Sequence, residues 1–329
     1  MSDTALYFTA PETVEIREIT VDPLEPSELL VETRASAISA GTELLVYHNE
    51  MPSGLQADET LDALDTDLTY PISYGYAASG VVTAVGRDVS DDWLGRTVFS
   101  FVPHQTRFSA DPDDVVPLPA GTEPEVGTLL PSVETATNVV LDAAPRIGER
   151  VVVLGAGVIG LCTTRLLSSF PLAELVVVDP IEHRRELALD TGADRVTAPD
   201  EITDAIDDVD LVIELSGQPS ALDDALAVVG YDGRILVGSW YGMKRAPIDL
   251  GGRFHRDRIE IVSSQVSTIS PELRGRWSRD RRLDTAIDWL ERIDVSELIS
   301  HRIPFARADE AYELLDSKQD NPVQVVLEY

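Results

Sequence analysis

The pattern of apolar and polar positions divides the chain into segments of different periodicity. Near the amino terminus, alternating runs at residues 13–19 and 29–38 predict β-strands, and glycines punctuate further short runs between residues 71 and 105. A short helix-like stretch begins at Gly41, and the polar, acidic residues 50–69 are predicted to form a loop. Short strands that end at glycines are typical of a small antiparallel barrel.

From residue 132 onward, predicted strands and helices alternate. Helices are predicted at 132–144, 158–169, 181–191 and 219–229, and strands at 151–154, 175–179, 211–215 and 234–238. This alternation predicts an α/β fold with a doubly wound parallel sheet. After residues 259–265 the pattern changes to helices at 281–292 and 308–317 and a last strand at 323–328.

One G-x-G-x-x-G turn joins a strand to a helix in this second region. Four apolar residues, 151–154, lead into Gly155, Gly157 and Gly160, and a helical pattern follows. Backbone N–H groups at such a helix start favour a phosphate, and the acid that the dinucleotide fingerprint requires about twenty residues further on is Asp179. We therefore predict a dinucleotide site that also includes Val158 and Ile159, the alternative being an ordinary strand-to-helix turn.

Composition excludes several classes of partner. The 329 residues include 58 acidic and 26 basic ones, giving a net charge of -32. Only Lys244 and Lys318 are lysines. Because this charge repels phosphates and anionic lipids, we expect no nucleic-acid or membrane partner. Acid spread along the whole chain is typical of a surface suited to concentrated salt and favours a halophilic archaeon as the source, the alternative being simply an acidic protein.

The cysteine count and hydropathy favour a cytoplasmic location. Cys162 is the only cysteine, so neither an intrachain disulfide nor a cysteine-rich zinc module is predicted. No basic-apolar leader opens the sequence, and no apolar run reaches transmembrane length.

Motifs spread over nearly the whole chain resemble the medium-chain dehydrogenase/reductase superfamily, that of the zinc-type alcohol dehydrogenases. They are Gly75–Gly86, Gly95–Val98, Val153–Gly160, Gly192–Asp194 and the tail 298–315. Residues 39–43 and 74–77 are most similar to the branch that holds bacteriochlorophyllide a dehydrogenase. The resemblance implies a GroES-like barrel domain from both chain ends (1–132 and 267–329) and an inserted Rossmann domain (133–266).

The positions that would bind zinc depart from this family. The resemblance puts the three ligands at Ala40, at Tyr76 and near residues 130–131, which are leucine and proline, and none of these supplies a typical ligand. It therefore implies a metal-free member. The alternative is a displaced metal site formed by Glu43, Glu134 and His104.

Without zinc, a nascent alkoxide needs other proton or hydrogen-bond donors, and three residues are candidates. Thr42 lies where the family's proton relay begins, Tyr76 replaces a ligand histidine, and His104 follows a strand expected to border the substrate. The alternatives are a helix cap for Thr42, a core position for Tyr76 and a loop position for His104. Glu43 is interpreted as a structural anion at the edge of the pocket.

Further cofactor residues follow from the strand ends and the resemblance. A carboxylate at Asp179 favours the ribose hydroxyls of NAD over the 2′-phosphate of NADP, although Arg184 and Arg185 keep NADP possible. Arg184 matches a position beside the adenosine ribose. The resemblance assigns Ser216 and Gly217 to the adenosine side and Val237, Gly238 and Ser239 to the nicotinamide side. Trp240 and Tyr241 are candidates for the pocket lining or for oligomer packing.

These observations predict a zinc-independent oxidoreductase that moves a hydride between NAD(H) and a small alcohol, ketone or aldehyde. The alternatives are a quinone or enoyl reductase that uses NADPH, and an NAD-binding redox sensor without chemistry. The resemblance implies a homodimer or homotetramer.

Overall fold

The computed structural model describes residues 2–52, 69–317 and 319–329. Most of the loop predicted at 50–69 therefore lies outside the described residues. The chain divides into two compact units. We call Met1–Pro131 with Leu290–Tyr329 the terminal unit, and Ser132–Trp289 the central unit. In the described part of the chain, no helix is long and apolar enough to cross a membrane.

Strands and helices are numbered separately in chain order. The strands are β1 (Asp3–Ala10), β2 (Thr13–Ile19), β3 (Leu29–Ile38), β4 (Ala78–Val85), β5 (Thr97–Ser100), β6 (Arg107–Ala110), β7 (Val116–Pro117), β8 (Arg150–Leu154), β9 (Glu174–Val178), β10 (Arg195–Thr197), β11 (Val209–Glu214), β12 (Val229–Val237), β13 (Glu260–Ser263), β14 (Ile299–Pro304) and β15 (Gln324–Glu328). The α-helices are α1 (Ala40–Tyr47), α2 (Pro124–Gly127), α3 (Leu130–Ala143), α4 (Val158–Leu167), α5 (Glu182–Asp190), α6 (Ile202–Ala205), α7 (Ala221–Val228), α8 (Arg253–Arg256), α9 (Arg279–Arg292) and α10 (Ala308–Ser317).

The central unit contains a six-stranded parallel sheet in the order β10-β9-β8-β11-β12-β13. Counted from β8 as the first strand, this is the order 3-2-1-4-5-6 of the dinucleotide-binding folds, and it confirms the predicted doubly wound sheet. Strands β8, β9 and β11 are buried almost throughout because apolar residues fill them. The order reverses between β8 and β11, so a crevice is expected outside their carboxyl ends.

The terminal unit is built on a seven-stranded sheet drawn from both chain ends. Its order is β14-β15-β3-β4-β5-β7, with β6 paired to β3. The pairs are antiparallel except for the parallel pair β14–β15. Strands β1 and β2 form a separate antiparallel pair. Helices α1 and α10 cover a core that contains Phe8, Tyr47 and Tyr312.

The second boundary between the two units differs from the prediction. Residues 267–289 were expected in the barrel domain but group with the central unit. The reason is a buried ion pair within that unit, in which Arg282 of α9 contacts Glu134 of α3 at 2.9 Å. Arg282 also donates a 2.7 Å hydrogen bond to Asn138. A guanidinium buried with these partners fixes the first part of α9 to α3.

Candidate active site and cofactor site

The glycine turn of the central unit has the geometry of a phosphate cradle. Gly155 has φ +102°, and an added Cβ would lie 2.7 Å from the Leu215 carbonyl oxygen, so only glycine fits. A Cβ on Gly160 would collide with the Gly155 carbonyl. Gly157 is the N-cap of α4, and a Cβ there would meet no described heavy atom within 4 Å. The turn therefore leaves the start of α4 open, and Val158 and Ile159 are its first two residues.

Asp179 ties this turn to the next strand end. The residue is 4% exposed, and its carboxylate accepts 2.8 Å hydrogen bonds from the N–H groups of Ala156 and Ile181. A carboxylate offers about four acceptor positions, so lone pairs remain for ribose hydroxyls.

Two arginines lie beside this carboxylate. Arg185 donates a 2.7 Å hydrogen bond to the Asp179 carbonyl oxygen. Burial lowers the pKa of Arg184, while the charge of Asp179 acts to raise it. Asp179, Arg184 and Arg185 therefore lie together just after the end of β9, as their closeness in the sequence predicts.

Glu214, which was not predicted as a site residue, is a buried acid at the carboxyl end of β11. Glu214 ends β11, is fully buried, and accepts hydrogen bonds from the Ser216 N–H (2.7 Å) and hydroxyl (2.5 Å). Its other oxygen accepts a 2.5 Å bond from the hydroxyl of Tyr241, whose pKa is raised by burial and by this carboxylate. The available signal was one acid within the otherwise apolar run of residues 211–215.

Hydrogen bonds connect the loops after β11 and β12 beside Glu214. The Gly217 N–H donates to the Ser239 hydroxyl at 2.9 Å, and the Gly238 N–H donates to the Glu214 carbonyl at 3.0 Å. A Cβ on Gly238 would lie 2.6 Å from Leu215 Cδ2, so glycine permits this close approach. Two connected strand ends therefore carry the predicted residues Ser216, Gly217, Val237, Gly238, Ser239 and Tyr241. Trp240, on the second loop, is 40% exposed.

The terminal unit holds a cluster of three hydroxyls, Ser39, Thr42 and Tyr76. Ser39 precedes α1, Thr42 lies in its first turn, and Tyr76 comes just before β4. The Tyr76 hydroxyl donates a short hydrogen bond to Ser39 Oγ and a 3.4 Å bond to Thr42 Oγ1. All three residues are half-buried. The structure therefore brings Thr42 and Tyr76 together as predicted neighbours and adds Ser39; their catalytic role stays a prediction.

A fully buried network lies beneath the hydroxyl cluster. Glu43 accepts hydrogen bonds from the Ser39 N–H (2.7 Å), His104 Nε2 (3.0 Å) and the Tyr312 hydroxyl (2.5 Å). His104 Nδ1 lies 2.7 Å from Ser36 Oγ, which contacts the Tyr329 hydroxyl at 2.9 Å. Since a carboxylate only accepts, the network is satisfied by a neutral imidazole protonated at Nε2.

The burial of Glu43 and His104 corrects two predictions. Neither side chain is exposed, and both ring nitrogens of His104 already have partners. His104 therefore does not reach a substrate as an acid or base, and Glu43 does not line an open pocket. His104 packs against Gly75, where an added Cβ would lie 2.5 Å from its ring.

The donors present do not fit a zinc ion at the positions that the resemblance assigns. Ala40 offers a methyl group, Leu130 is fully buried and apolar, and the Tyr76 phenol is engaged with Ser39. The displaced site is also wrong: Glu134 belongs to the central unit, where it pairs with Arg282, whereas Glu43 pairs with His104. Among the described residues, no group of three histidine, cysteine, aspartate or glutamate side chains could hold a metal.

Comparison with known proteins identifies the class of fold and enzyme. Residues 158–285 match the model of a family described as zinc-binding dehydrogenase. D-guloside 3-dehydrogenase of Escherichia coli K12 is 26% identical over 333 residues, covering 93% of this chain and 94% of the relative. L-threonine 3-dehydrogenase of Pyrococcus furiosus is 27% identical over 364 residues and 98% of each chain.

A solved structure confirms the predicted fold class over the full length. An alcohol dehydrogenase from Escherichia coli CFT073, complexed with NADH, has a TM-score of 0.78, 19% identity and 100% coverage of both chains. The family match and the relatives support the predicted resemblance to the superfamily of medium-chain, zinc-type alcohol dehydrogenase-like oxidoreductases, and the solved structure shows that the fold is shared.

Proposed function

We propose that this chain is a zinc-independent, NAD(H)-dependent dehydrogenase that interconverts an alcohol with a ketone or aldehyde. The relatives that it matches over nearly their full length are named as dehydrogenases, which supports the reaction type. The observation that carries the zinc-independent part is the hydroxyl cluster of Ser39, Thr42 and Tyr76, in which Tyr76 stands at a position where the resemblance implies a metal ligand.

We propose a secondary alcohol with a polar neighbour as the substrate class. The two relatives are named for oxidation at position 3 of a D-guloside and at position 3 of L-threonine. In both compounds the carbon beside the reacting one carries a hydroxyl or an amino group. Such substrates are small and hydrophilic.

The hydroxyl cluster provides a proton path in this proposal. A nicotinamide dinucleotide held by the glycine turn and Asp179 would supply or take up the hydride. During oxidation, the Tyr76 oxygen accepts the alcohol proton while its own proton passes to Ser39 and from there to water; reduction reverses the path. Thr42 holds the phenol from its other side. A positioned acid or base of this kind contributes roughly 10²–10⁴-fold to a rate.

Asp179 supports NAD over NADP in this proposal. Its carboxylate would repel a 2′-phosphate and has lone pairs left for ribose hydroxyls. Arg184 and Arg185 beside it are the reason to test both cofactors.

We also propose that the protein forms a homodimer through the central unit. Strand β13 is the outer strand of the parallel sheet, and its residues Ile261 and Val262 are 37% and 48% exposed. An apolar edge strand with unpaired backbone groups is a template for pairing with a second copy.

A cofactor and substrate panel tests the reaction. NADH and NADPH oxidation would be followed in molar KCl with polyol-derived ketones, amino ketones, aldehydes, quinones and enones, alongside metal analysis of the protein. We expect turnover of a hydroxy- or amino-ketone with NADH and no stoichiometric zinc. Tightly bound zinc contradicts the metal-free proposal, and a strong NADPH preference contradicts the role given to Asp179. Reduction of enones or quinones alone supports a C=C or quinone reductase, and NADH binding without turnover supports a sensor.

Two variants test the proton path. Tyr76→Phe removes the phenol and should lower kcat by roughly 10²–10⁴-fold while leaving NADH binding unchanged. Tyr70→Phe is the matched control, because the Tyr70 hydroxyl contacts the Val46 carbonyl of the same unit and not the cluster. Equal activity of the two variants would exclude Tyr76 as the proton donor.

A further inference from the structure

Glu214 is a buried carboxylate at the point where the strand order of the parallel sheet reverses. It ends β11 and is paired in register with Leu154, the last residue of β8. The side chain is fully buried. The glycine turn lies next to it along the sheet, since a Cβ on Gly155 would touch both Leu215 and Ser216.

The hydrogen-bond partners of Glu214 are uncharged groups. It accepts three hydrogen bonds, from the Ser216 N–H, the Ser216 hydroxyl and the Tyr241 hydroxyl. The N–H group can only donate, and both hydroxyls are oriented as donors, an arrangement that suits a carboxylate acting as acceptor at both oxygens. The ammonium of Lys244, on the neighbouring loop, donates to the Gly217 carbonyl at 3.3 Å instead.

The topology assigns this acid to the nicotinamide side of a dinucleotide. A sheet of this order consists of two mononucleotide-binding halves, with the dinucleotide lying across the crevice between them. Asp179 follows β9 in the half formed by β8, β9 and β10, and its carboxylate suits the adenosine ribose. The half formed by β11, β12 and β13, to which Glu214 belongs, is left for the nicotinamide nucleotide. The Glu214 carboxylate contacts Ser216, which the resemblance assigns to the adenosine side, and also Tyr241, which follows the nicotinamide-side residues 237–239. This step rests on the proposed cofactor.

We propose that Glu214 determines the redox preference of the cofactor site by favouring the oxidised nicotinamide. The ring carries a positive charge in NAD⁺ and none in NADH, whereas the rest of the molecule is the same. A buried negative charge therefore stabilises bound NAD⁺ relative to bound NADH. Even about 10 Å apart, at an effective dielectric constant of about 20, two unit charges change a binding constant by roughly tenfold. The charge loads the site with the oxidised cofactor and weakens retention of the reduced one.

Isothermal titration calorimetry with NAD⁺, NADH and ADP-ribose tests this role without any substrate. Glu214→Gln keeps the size of the side chain and an acceptor for Ser216 but removes the charge. We expect the ratio of the two dissociation constants, NADH over NAD⁺, to fall about five- to tenfold in this variant. Tyr241→Phe is the matched control, because it removes a hydrogen bond to the same carboxylate and keeps the carboxylate itself; its ratio should change much less than that of Glu214→Gln.

Three results separate the possible failures. An unchanged ratio in Glu214→Gln, or an equal change in Tyr241→Phe, overturns the role of the charge while leaving the proposed cofactor in place. Failure of the wild type to bind NAD⁺, NADH and ADP-ribose overturns both. Binding of ADP-ribose by Glu214→Gln shows that the variant is folded. If the variant does not bind ADP-ribose, the wild type is titrated instead with benzamide adenine dinucleotide, a neutral analogue of NAD⁺. Equal affinities of the wild type for NAD⁺ and for this analogue overturn the proposal.

Discussion

The buried network of the terminal unit makes a quantitative prediction about Tyr312. Tyr312→Phe removes the hydroxyl that donates to Glu43 at 2.5 Å and keeps the ring, which lies 5.2 Å from Phe8 and 5.6 Å from Tyr47 between centroids. Ring packing therefore changes little, and Glu43 keeps two of its three donors, Ser39 and His104. A hydrogen bond to a charged group contributes about 1.5–3 kcal/mol, so we expect this loss in the free energy of unfolding.

Tyr329→Phe is the matched control for this substitution. The Tyr329 hydroxyl contacts the neutral Ser36 hydroxyl at 2.9 Å, and its ring stacks on Phe305. A bond between neutral groups contributes about 0.5–1.5 kcal/mol, so this variant should be the milder of the two. Urea unfolding in molar KCl, followed by tryptophan fluorescence, gives both values. Equal losses would refute the interpretation that Glu43 is an anionic acceptor at the centre of the network.

The pH dependence of the same variant has a defined sign. Burial and the charge of Glu43 raise the pKa of Tyr312 well above its ordinary value. In the unfolded chain the phenol ionises near its ordinary value of about 10, whereas in the folded chain it stays protonated. Its stabilising contribution is therefore complete below about pH 10 and is lost as the pH rises further. The difference between wild type and Tyr312→Phe should be constant near neutrality and shrink at alkaline pH.

Two further substitutions test the central unit. Arg282→Met leaves the Glu134 carboxylate buried without its ion pair and should cost about 3–5 kcal/mol in urea unfolding, against almost nothing for exposed Arg276→Met. Because burial already raises the pKa of Glu134 against the opposing effect of Arg282, the loss should be largest near neutrality and decrease as acid protonates the carboxylate. Ile261→Lys on β13 should convert the proposed dimer to a monomer in size-exclusion chromatography with light scattering. Ile147→Lys, at a residue 86% exposed in the same unit, should not, and a dimer in both variants would contradict the proposed interface.

Local sequence signals predicted the central unit well because its contacts follow the chain. Apolar runs that alternate with helical periodicity define β8, β9 and β11 without knowledge of their partners. The short strand β10 was missed because three residues are too few to show a period. The strand β12 begins at Val229 rather than at 234, since Gly230 and Gly233 hide its first half in the sequence.

Pairings between distant residues limited the prediction of the terminal unit. Strand β14 pairs with β15 in parallel, and β15 pairs with β3 near the start of the chain. Residues 299–304 were not predicted as a strand, because Ile299 and Ile303 are the only apolar residues that alternate with polar ones in this short run. The same limit applies to His104, whose partners Ser36 and Glu43 lie more than 60 residues away. Its place after a strand expected to border the substrate suggested chemistry, but its burial shows that it is structural.

Ser39 connects the buried part of this site to the exposed part. Its N–H donates to the buried Glu43 carboxylate, while its hydroxyl accepts from Tyr76. Gly75 makes room beneath for the His104 ring, and the next residue along the chain carries the phenol of the hydroxyl cluster. Glu43 therefore fixes the position of Ser39, and through it the hydroxyl pair that the proposed proton path uses. Tyr312 and His104 hold the Glu43 carboxylate in place. The substitution Tyr312→Phe should therefore shift the Tyr76 hydroxyl through Ser39, although it lies far from Tyr76 in the sequence. It should lower kcat more than it changes cofactor binding, whereas the same substitution at Tyr329, two hydrogen bonds further from Glu43, should leave both unchanged.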